Sequence, residues 1–385
     1  MTTSDIVSSL RGKSFSIPDF YRIYHHWPVS VSPHIDWLRD KVNAYTDSIF
    51  AQQLRFPCAD PIRKRKEVEA INVAYLVSSW WPCADSEVLL RLAYCSLWLF
   101  IWDDESEGSH SSCEANAESA QRFRDETREY ARRLLNVGPT TAYTNLTPAP
   151  TNVLITAFAD VAAPVASKDE EQQARFYEEV AFYIHATGTE AARRAKPNLP
   201  ALDDYLGLRI GTSGVRVLAI LFDILSGPAF KSLPPSAYSR TRNSALAANP
   251  SLTDYYSCDD DLDLITDQCN LLISITNDIL SLKKELRIGI ADSAIPILFS
   301  LTRDLDEAMK HTVEILESSK QVFDEAEQRV LTRLGIAGDE EKRARTKKYI
   351  DSLKTMVTGN VAWSMRSERY GLTEMKGKEK RVVFL

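Results

Sequence analysis

The chain has 385 residues, of which 44% are hydrophobic and 26% charged, and 53 acidic against 46 basic residues give a formal net charge of −7. This mild acidity argues against a nucleic-acid-binding protein, which normally presents a basic face. The longest strongly apolar run, Leu97 to Trp102, is too short to span a bilayer, and the sequence begins without the apolar stretch of a signal peptide. We therefore expect a cytoplasmic protein without membrane insertion.

Long amphipathic segments and only 14 glycines predict an almost entirely α-helical chain. Residues 1 to about 35 contain three prolines and are predicted to form an irregular arm, followed by a helix over about 36–53. We expect the arm and first helix (1–60) to pack on one α-helical domain (61–375), followed by a basic tail (376–385). Neither an internal repeat nor an alternating strand pattern is present.

A strongly apolar helix is predicted over residues 85–102 and is followed at once by Asp103, Asp104 and Glu107, a DDxxE array. Because the helix is apolar almost all round, we expect it in the centre of a bundle. Residues four apart share a helix face, and clustered carboxylates suit Mg²⁺. The alternative is a solvated acidic helix end, which the helix macrodipole disfavours.

The middle of the chain is predicted to contain a loop over 138–150 and helices over about 151–167, 170–194 and 202–225. The last of these helices contains Gly-Thr-Ser-Gly at 211–214. Glycine and hydroxyl residues weaken a helix, so we expect a break at this point.

Residues 227–257 contain four prolines and many Ser, Asn and Tyr residues, which predicts a long surface insertion. The helices expected after it cover about 262–287, 292–318, 320–334 and 340–367.

A second acidic array, Asp259, Asp260 and Asp263, stands at the start of the helix predicted over 262–287. Aspartates at a helix N-terminus cap the first turn and interact favourably with the macrodipole. Capping explains this array, and we do not expect it to be catalytic.

The segment NDILSLKKE, residues 277–285, is the most informative in the chain. Asn277, Ser281 and Glu285 stand at positions i, i+4 and i+8, so they line one face of a helix and each offers an oxygen. The flanking residues are apolar, and unpartnered polar groups on a buried helix are costly. A metal ion chelated by the three oxygens removes that cost. The alternative is a polar stripe that faces solvent.

The DDxxE array (103–107), the NDxxSxxKE segment (277–285) and a later Arg369-Tyr370 pair resemble, in this order, class I terpene synthases of the fungal and bacterial type. The resemblance covers about residues 60–375 and is strongest to sesquiterpene synthases. It implies an all-α, single-domain bundle around a deep apolar active-site cavity. It also implies Mg²⁺-dependent cyclisation of a prenyl diphosphate, with farnesyl diphosphate expected first, to a sesquiterpene with release of diphosphate.

In such enzymes three Mg²⁺ ions hold the substrate diphosphate, two at the aspartate-rich motif and one at the Asn/Ser/Glu triad. The metal ligands that the resemblance implies are Asp103, Asp104, Glu107, Asn277, Ser281 and Glu285. The diphosphate ligands that it implies are Arg209, Lys284, Arg369 and Tyr370. Arginine–phosphate contacts are charge-assisted and strong.

The family also carries a diphosphate-sensing arginine, a linker and an effector residue at a helix break. Arg209, Thr212 and Ser213 resemble this triad, although the linker is threonine instead of the acidic residue often found there. Arg216 is a rival sensor and Gly214 a rival effector, and the break itself is also explained as a simple kink.

Aromatic side chains near the motifs are candidates to stabilise a substrate carbocation, since each ring contributes about 0.5–2 kcal/mol. The candidates are Tyr94, Trp98, Phe222 and Trp363. Ordinary core packing is the alternative for each of them.

Several alternatives remain open at the level of sequence. A diterpene cyclase acting on geranylgeranyl diphosphate carries the same motifs. A chain-elongating prenyltransferase usually has two aspartate-rich motifs, and a non-catalytic helical scaffold requires both motifs to be accidental. A class II cyclase needs a DxDD acid, which this sequence lacks. The expected partner is a small prenyl diphosphate, and the expected assembly is a monomer or homodimer.

Overall fold

Long helices dominate the computed structural model, which describes residues 2–52, 61–106, 117–138, 150–227, 261–372 and 382–385. The α-helices are α1 (Thr3–Leu10), α2 (Phe20–Ile23), α3 (Ile35–Gln52), α4 (Pro61–Ile71), α5 (Val73–Trp80), α6 (Ser86–Ser106), α7 (Ala117–Leu134), α8 (Val153–Thr156), α9 (Phe158–Ala166), α10 (Glu170–Arg194), α11 (Leu202–Thr212), α12 (Val215–Ser226), α13 (Asp261–Arg287), α14 (Ala294–Thr302), α15 (Leu305–Ala337) and α16 (Glu340–Ser364). A 3₁₀ helix (Glu368–Tyr370) and two short strands, β1 (Ser14–Ser16) and β2 (Val382–Phe384), complete the described elements.

The described helices form a single all-α bundle, as the sequence predicts, and α13 lies at its centre together with α6, the helix that the sequence predicts there. Helix α13 packs against α11, α12, α15 and α16, while α6 packs against α3, α5, α9 and α12. One continuous apolar core joins these helices, since both α6 and α13 bury side chains around most of their circumference. In the described part of the chain, none of the helices combines the length and apolar character needed to cross a membrane.

The predicted apolar helix before the DDxxE array is α6, which begins at Ser86 and continues to Ser106. Its last turn therefore includes Asp103 and Asp104. These two carboxylates are held by the end of a buried helix, and the direction of α6 fixes where they lie.

The predicted break at residues 211–214 is confirmed. Helix α11 ends at Thr212 and α12 begins at Val215, with Gly214 between them in the left-handed region at φ 70°. The left-handed conformation favours glycine at position 214. A Cβ atom there would also lie 3.3 Å from Leu99 Cδ1, which is a tight contact.

The prediction of an irregular N-terminal arm is wrong in part. Residues 2–23 contain α1, β1 and α2, and β1 pairs antiparallel with β2 in the register Ser14 to Phe384 and Ser16 to Val382. Three-residue strands are too short to give a recognisable alternating pattern, although Phe15 and Val383 are both buried at the central pair.

The predicted helices over 292–318 and 320–334 have the wrong boundary. The structure instead places the break at Arg303 and Asp304, between α14 and α15. Arg303 adopts a left-handed conformation with φ 62°, and the Asp304 carboxylate caps α15 by accepting hydrogen bonds from the backbone of Asp306 and Glu307. Asp304 was the missed signal, since aspartate is a favoured N-cap.

The segment predicted as one helix over 151–167 consists of two helices, α8 and α9, which meet at Ala157.

Two predicted loop segments are only partly described. Most of the predicted loop over 138–150, and all but the first residue of the predicted insertion over 227–257, lie outside the described residues.

Candidate active site

The Asn/Ser/Glu triad lies on one face of the C-terminal half of α13, as predicted from its spacing. The Ser281 hydroxyl donates a 2.6 Å hydrogen bond to Glu285 Oε1. Glu285 Oε2 is buried and has no hydrogen-bond partner among the described residues. A buried carboxylate oxygen without a partner is costly and is the kind of group that a bound cation satisfies.

Two residues that are far apart in sequence, Arg209 and Tyr370, both contact Asn277. Arg209 Nη2 on α11 donates a 3.0 Å hydrogen bond to Asn277 Oδ1. Asn277 Nδ2 donates a 2.8 Å hydrogen bond to the hydroxyl of Tyr370, in the 3₁₀ helix. Both oxygen and nitrogen of the Asn277 amide are therefore engaged, and the sensor candidate, the triad and the Arg-Tyr pair form one hydrogen-bonded group.

Asp278 is a member of this group that sequence reasoning missed. Its Oδ2 atom accepts hydrogen bonds from the Tyr205 hydroxyl (2.7 Å) and the Ala294 backbone (3.0 Å), and its Oδ1 atom lies 3.6 Å from Arg209 Nε. Burial raises the pKa of Asp278 to about 7, although the positive charge of Arg209 opposes this rise. The available signal was Tyr205, which precedes Arg209 by one helical turn and so shares its face.

The residues of the helix break contact two different helices. The Ser213 hydroxyl donates a 2.8 Å hydrogen bond to Asn270 Oδ1 on α13, and Asn270 Nδ2 donates one of 2.8 Å to the carbonyl of Ile210. Thr212 donates a longer hydrogen bond of 3.4 Å to Glu190 on α10. Asn270 therefore binds one residue within α11, Ile210, and one just after its end, Ser213. It is a second buried polar residue that sequence reasoning missed.

Arg216, the rival sensor, belongs to a separate cluster. Its guanidinium donates to Glu179 on α10 at 2.9 Å and to two residues near the start of α13, Asp267 at 2.6 Å and Asp263 at 3.3 Å. The structure thus brings Arg209 to the triad and places Arg216 among these three carboxylates. Asp263 belongs to the second acidic array, whose other two aspartates lie outside the described residues.

Each aspartate of the DDxxE array contacts a side chain of another helix. The Tyr183 hydroxyl donates a 3.2 Å hydrogen bond to Asp103 Oδ1, and Lys64 Nζ on α4 lies 2.7 Å from Asp104 Oδ2. Burial raises the pKa of the neighbouring Glu105. Glu107, the predicted third ligand of this motif, lies outside the described residues.

The Arg-Tyr segment reaches both motifs. The Arg369 guanidinium lies over the ring of Phe100, 5.3 Å from its centroid, and Phe100 precedes Asp103 by one turn of α6. Trp363, one of the predicted aromatic candidates, contacts Phe100 and the ring of Tyr370, with centroid distances of 6.0 and 5.6 Å. Lys284, the remaining predicted diphosphate ligand, is half-buried beside Glu285 on α13.

The other aromatic candidates have partners typical of core packing. Tyr94 stacks on Tyr45 of α3 at 3.9 Å, and Trp98 donates a 2.9 Å hydrogen bond to the carbonyl of Leu154. Phe222 stacks on Trp81 at 5.7 Å, where α12 meets α5.

The donors on α13 fit a hard divalent cation. They are oxygens of an amide, a hydroxyl and a carboxylate, which are the ligand types that Mg²⁺ takes in proteins. Within the described ranges, no group of three or more His, Cys, Asp or Glu side chains is placed to hold a metal ion. The reason is the composition of the two motifs. Glu285 is the one residue of the triad that belongs to these four types, and Glu107 of the DDxxE array lies outside the described residues.

Comparison with known proteins identifies the family of this chain. The family model for terpene synthase family 2, C-terminal metal binding, matches residues 94–321, which is more than half of the chain. The chain therefore belongs to terpene synthase family 2 and is a terpene synthase, a lyase. The predicted family and fold are confirmed.

Two curated relatives extend over most of the chain. Sesquiterpene cyclase hepA of Aspergillus oryzae is 27% identical over 373 residues, which cover 96% of this chain and 92% of the relative. Isoafricanol synthase of Streptomyces violaceusniger is 24% identical and covers 79% of this chain and 73% of its own length.

Solved structures share the fold at lower identity. The crystal structure of α-eudesmol synthase has a TM-score of 0.68 at 16% identity, with 89% of this chain and 98% of the other covered. Hedycaryol synthase in complex with nerolidol gives a TM-score of 0.65 at 17% identity, with 91% and 100% covered.

Proposed function

We propose that this terpene synthase is a Mg²⁺-dependent sesquiterpene cyclase that converts farnesyl diphosphate into a cyclic sesquiterpene and releases diphosphate. The observation that carries the proposal is the hydrogen-bonded group of Arg209, Asn277 and Tyr370 beside the unpartnered oxygen of Glu285. The names of the relatives favour a fifteen-carbon substrate, since hepA is a sesquiterpene cyclase.

The residues that would hold metal are the α13 triad on one side and Asp103, Asp104 and Glu107 on the other. When bound, Mg²⁺ supplies positive charge that stabilises the departing diphosphate. The protein contributes the fixed placement of these ligands, with Ser281 hydrogen-bonded to Glu285 on the same helix face.

The diphosphate would be bound by the cationic and hydroxyl groups that surround the triad. Arg209 would exchange its hydrogen bond to Asn277 for one to a diphosphate oxygen, while Lys284, Arg369 and Tyr370 approach from α13 and the 3₁₀ helix. Donors aimed at the developing negative charge lower the barrier to ionisation, because they act in a site from which water is excluded.

Ionisation breaks the carbon–oxygen bond, and the electron pair leaves with the diphosphate. The allylic cation that remains is attacked by another double bond of the same prenyl substrate, which closes the ring. Loss of a proton ends the reaction. Aromatic faces stabilise such cations. Trp363 is the predicted aromatic that contacts a motif residue directly, through the ring of Tyr370. We propose released diphosphate as the acceptor of the final proton.

Ser213 and Thr212 would act at the break between α11 and α12. Both lie within one turn of Arg209, and Ser213 is bound to the central helix through Asn270. Because these residues follow Arg209 at the end of the same helix, a movement of Arg209 toward diphosphate would be transmitted to the break. Gly214 of the break lies beside Leu99.

Product analysis by gas chromatography–mass spectrometry tests the proposal. Purified protein would be incubated separately with geranyl, farnesyl and geranylgeranyl diphosphate, with Mg²⁺ and with excess chelator. A cyclic C15 hydrocarbon or alcohol formed only with Mg²⁺ supports the proposal. A C20 product would replace it with a diterpene cyclase, and the absence of a Mg²⁺-dependent product from all three substrates would contradict a cyclase and favour a prenyltransferase or an inactive relative.

A further inference from the structure

The N-terminal end of helix α4 contacts the acidic motif. Lys64 Nζ lies 2.7 Å from Asp104 Oδ2, and the two side chains are 16% and 29% exposed. Ion pairs on a fully exposed surface contribute little, because water and salt screen them. This pair is shielded enough to fix the direction of the Asp104 carboxylate, and Lys64 is not among the residues that the motifs identify.

The other end of α4 contacts the Arg-Tyr segment. The carbonyl of Ala70 accepts a 2.9 Å hydrogen bond from the Ser367 hydroxyl, and the carbonyl of Ile71 accepts one from Trp363 Nε1. Ser367 Oγ in turn accepts a hydrogen bond from the backbone of Arg369. The last carbonyls of a helix have no partner within the helix, so α4 offers them to the segment that carries Arg369.

Little apolar contact holds α4 in place. Among the side chains of α4 that the structure describes, residues 62–71, Val68 and Ile71 are the buried ones. The ion pairs of the described residues that join α4 to other helices include Lys64 with Asp104 and Arg65 with Asp47, and the second is about half exposed on both sides. The shielded pair at Lys64 therefore contributes more to the position of α4 than the exposed pair at Arg65.

We propose that Lys64 is a positioning residue that holds Asp104 and, through α4, couples the acidic motif to the Arg369–Tyr370 segment. The inference rests on the proposed function for its effect on turnover, but the coupling itself is a property of the protein without substrate. Lys64 is a cation and so is not a metal ligand. It acts through Asp104 at one end of a rigid helix and through Ser367 and Trp363 at the other.

The experiment compares Lys64→Gln with Lys66→Gln, which removes the same charge from an exposed position of the same helix. Hydrogen–deuterium exchange would be followed in peptides covering 363–372, with 340–360 of α16 as an internal reference. Steady-state kinetics with farnesyl diphosphate and Mg²⁺ would be measured on the same preparations.

For Lys64→Gln we expect exchange in 363–372 to become about fivefold faster while the reference is unchanged. We expect kcat to fall about tenfold and KM to stay within a factor of about two, because alignment and not substrate binding is lost. Lys64→Arg should restore both quantities, and Lys66→Gln should match the wild type.

Unchanged exchange in 363–372 for Lys64→Gln would overturn the coupling, even if turnover fell. Equal exchange in the Lys64 and Lys66 variants would also overturn it, since the effect would then be one of net charge. If the Lys64 variant does not fold, Ser367→Ala tests the same link from the other end, and faster exchange at 100–106 is the supporting result. Faster exchange together with a wild type that turns over no prenyl diphosphate would retain the coupling and reject the proposed function.

Discussion

The two metal-motif regions of this protein are built differently. On the α13 side, Asn277 and Asp278 bind Arg209, Tyr205, Tyr370 and the start of α14 through a continuous set of hydrogen bonds. On the α6 side, Asp103 contacts Tyr183 of α10 and Asp104 contacts Lys64 of α4. The first region joins α11, α13, α14 and the 3₁₀ helix around two adjacent residues, whereas in the second each aspartate contacts a different helix.

The difference indicates a division of labour between the regions. A cross-linked, buried polar group keeps its geometry because removing one member leaves others unpaired, which is costly. The α6 aspartates contact different helices, so the loss of one contact leaves the other in place. We therefore expect substitutions in the α13 region to have the larger effects.

The largest effect is expected for Glu285→Gln. The amide keeps the shape of the side chain but removes the negative charge at the unpartnered oxygen, so turnover should fall by about a thousandfold. Product formation from farnesyl diphosphate at saturating Mg²⁺ measures it. Glu314→Gln, at an exposed position of α15, is the matched control, and a loss of less than tenfold at Glu285 would contradict the assignment.

A smaller loss is expected for Arg209→Met, about a hundredfold in kcat/KM, because one charge-assisted contact to diphosphate is removed. Arg216→Met is the comparison. It removes the cation that binds the buried Glu179 and Asp267 and the half-buried Asp263, and should lower the free energy of unfolding by about 3–5 kcal/mol.

Urea unfolding and steady-state kinetics on both variants separate the two arginines. Equal losses of turnover in the folded fractions would remove the distinction between them. A reversed pattern would make Arg216 the sensor.

Asn270→Ala should destabilise the protein by about 2–3 kcal/mol. It removes the donor to the Ile210 carbonyl and the acceptor of the Ser213 and Ser274 hydroxyls, which leaves buried groups unpaired. Urea unfolding measures the change. Ser213→Ala, which removes one of these bonds, should cost about 1 kcal/mol, and an equal cost for both variants would argue against Asn270 as the organising residue of the break.

The smallest effect is expected on the α6 side, for Phe100→Leu. Loss of the ring beneath Arg369 should lower kcat/KM about threefold, as expected for a partly exposed cation–π contact. Phe100→Tyr keeps the ring and should retain wild-type values. A loss as large as that for Glu285→Gln would show that the α6 side is as tightly constrained as the α13 side.

The sequence predicted those parts of the site that depend on spacing within one helix. Asn277, Ser281 and Glu285 share a face because residues four apart do so in any helix. The apolar run before Asp103 predicted α6, and the glycines at 211–214 predicted the break. The resemblance to the family implied that Arg369 and Tyr370 bind the same diphosphate as the triad's metal ion, and Tyr370 contacts Asn277.

The contacts that sequence reasoning missed join different helices. Nothing in local spacing relates Lys64 to Asp104, Tyr205 to Asp278 or Asn270 to Ile210, because helix packing in three dimensions decides these pairs. Buried polar residues on α13 were visible in the sequence as interruptions of an apolar helix. Their partners were not, since periodicity specifies a face but not its neighbour.

Gly214 carries a consequence for efforts to redirect the product by mutagenesis. Its left-handed backbone, with Leu99 Cδ1 3.3 Å from where a Cβ atom would lie, makes other side chains strained at this position, so saturation there is expected to yield destabilised variants. Leu99 is the neighbour that would have to yield, and it stands one turn before Asp103. Libraries that keep Gly214 and vary the size of residue 99 would reshape the space beside the break while leaving the break itself intact.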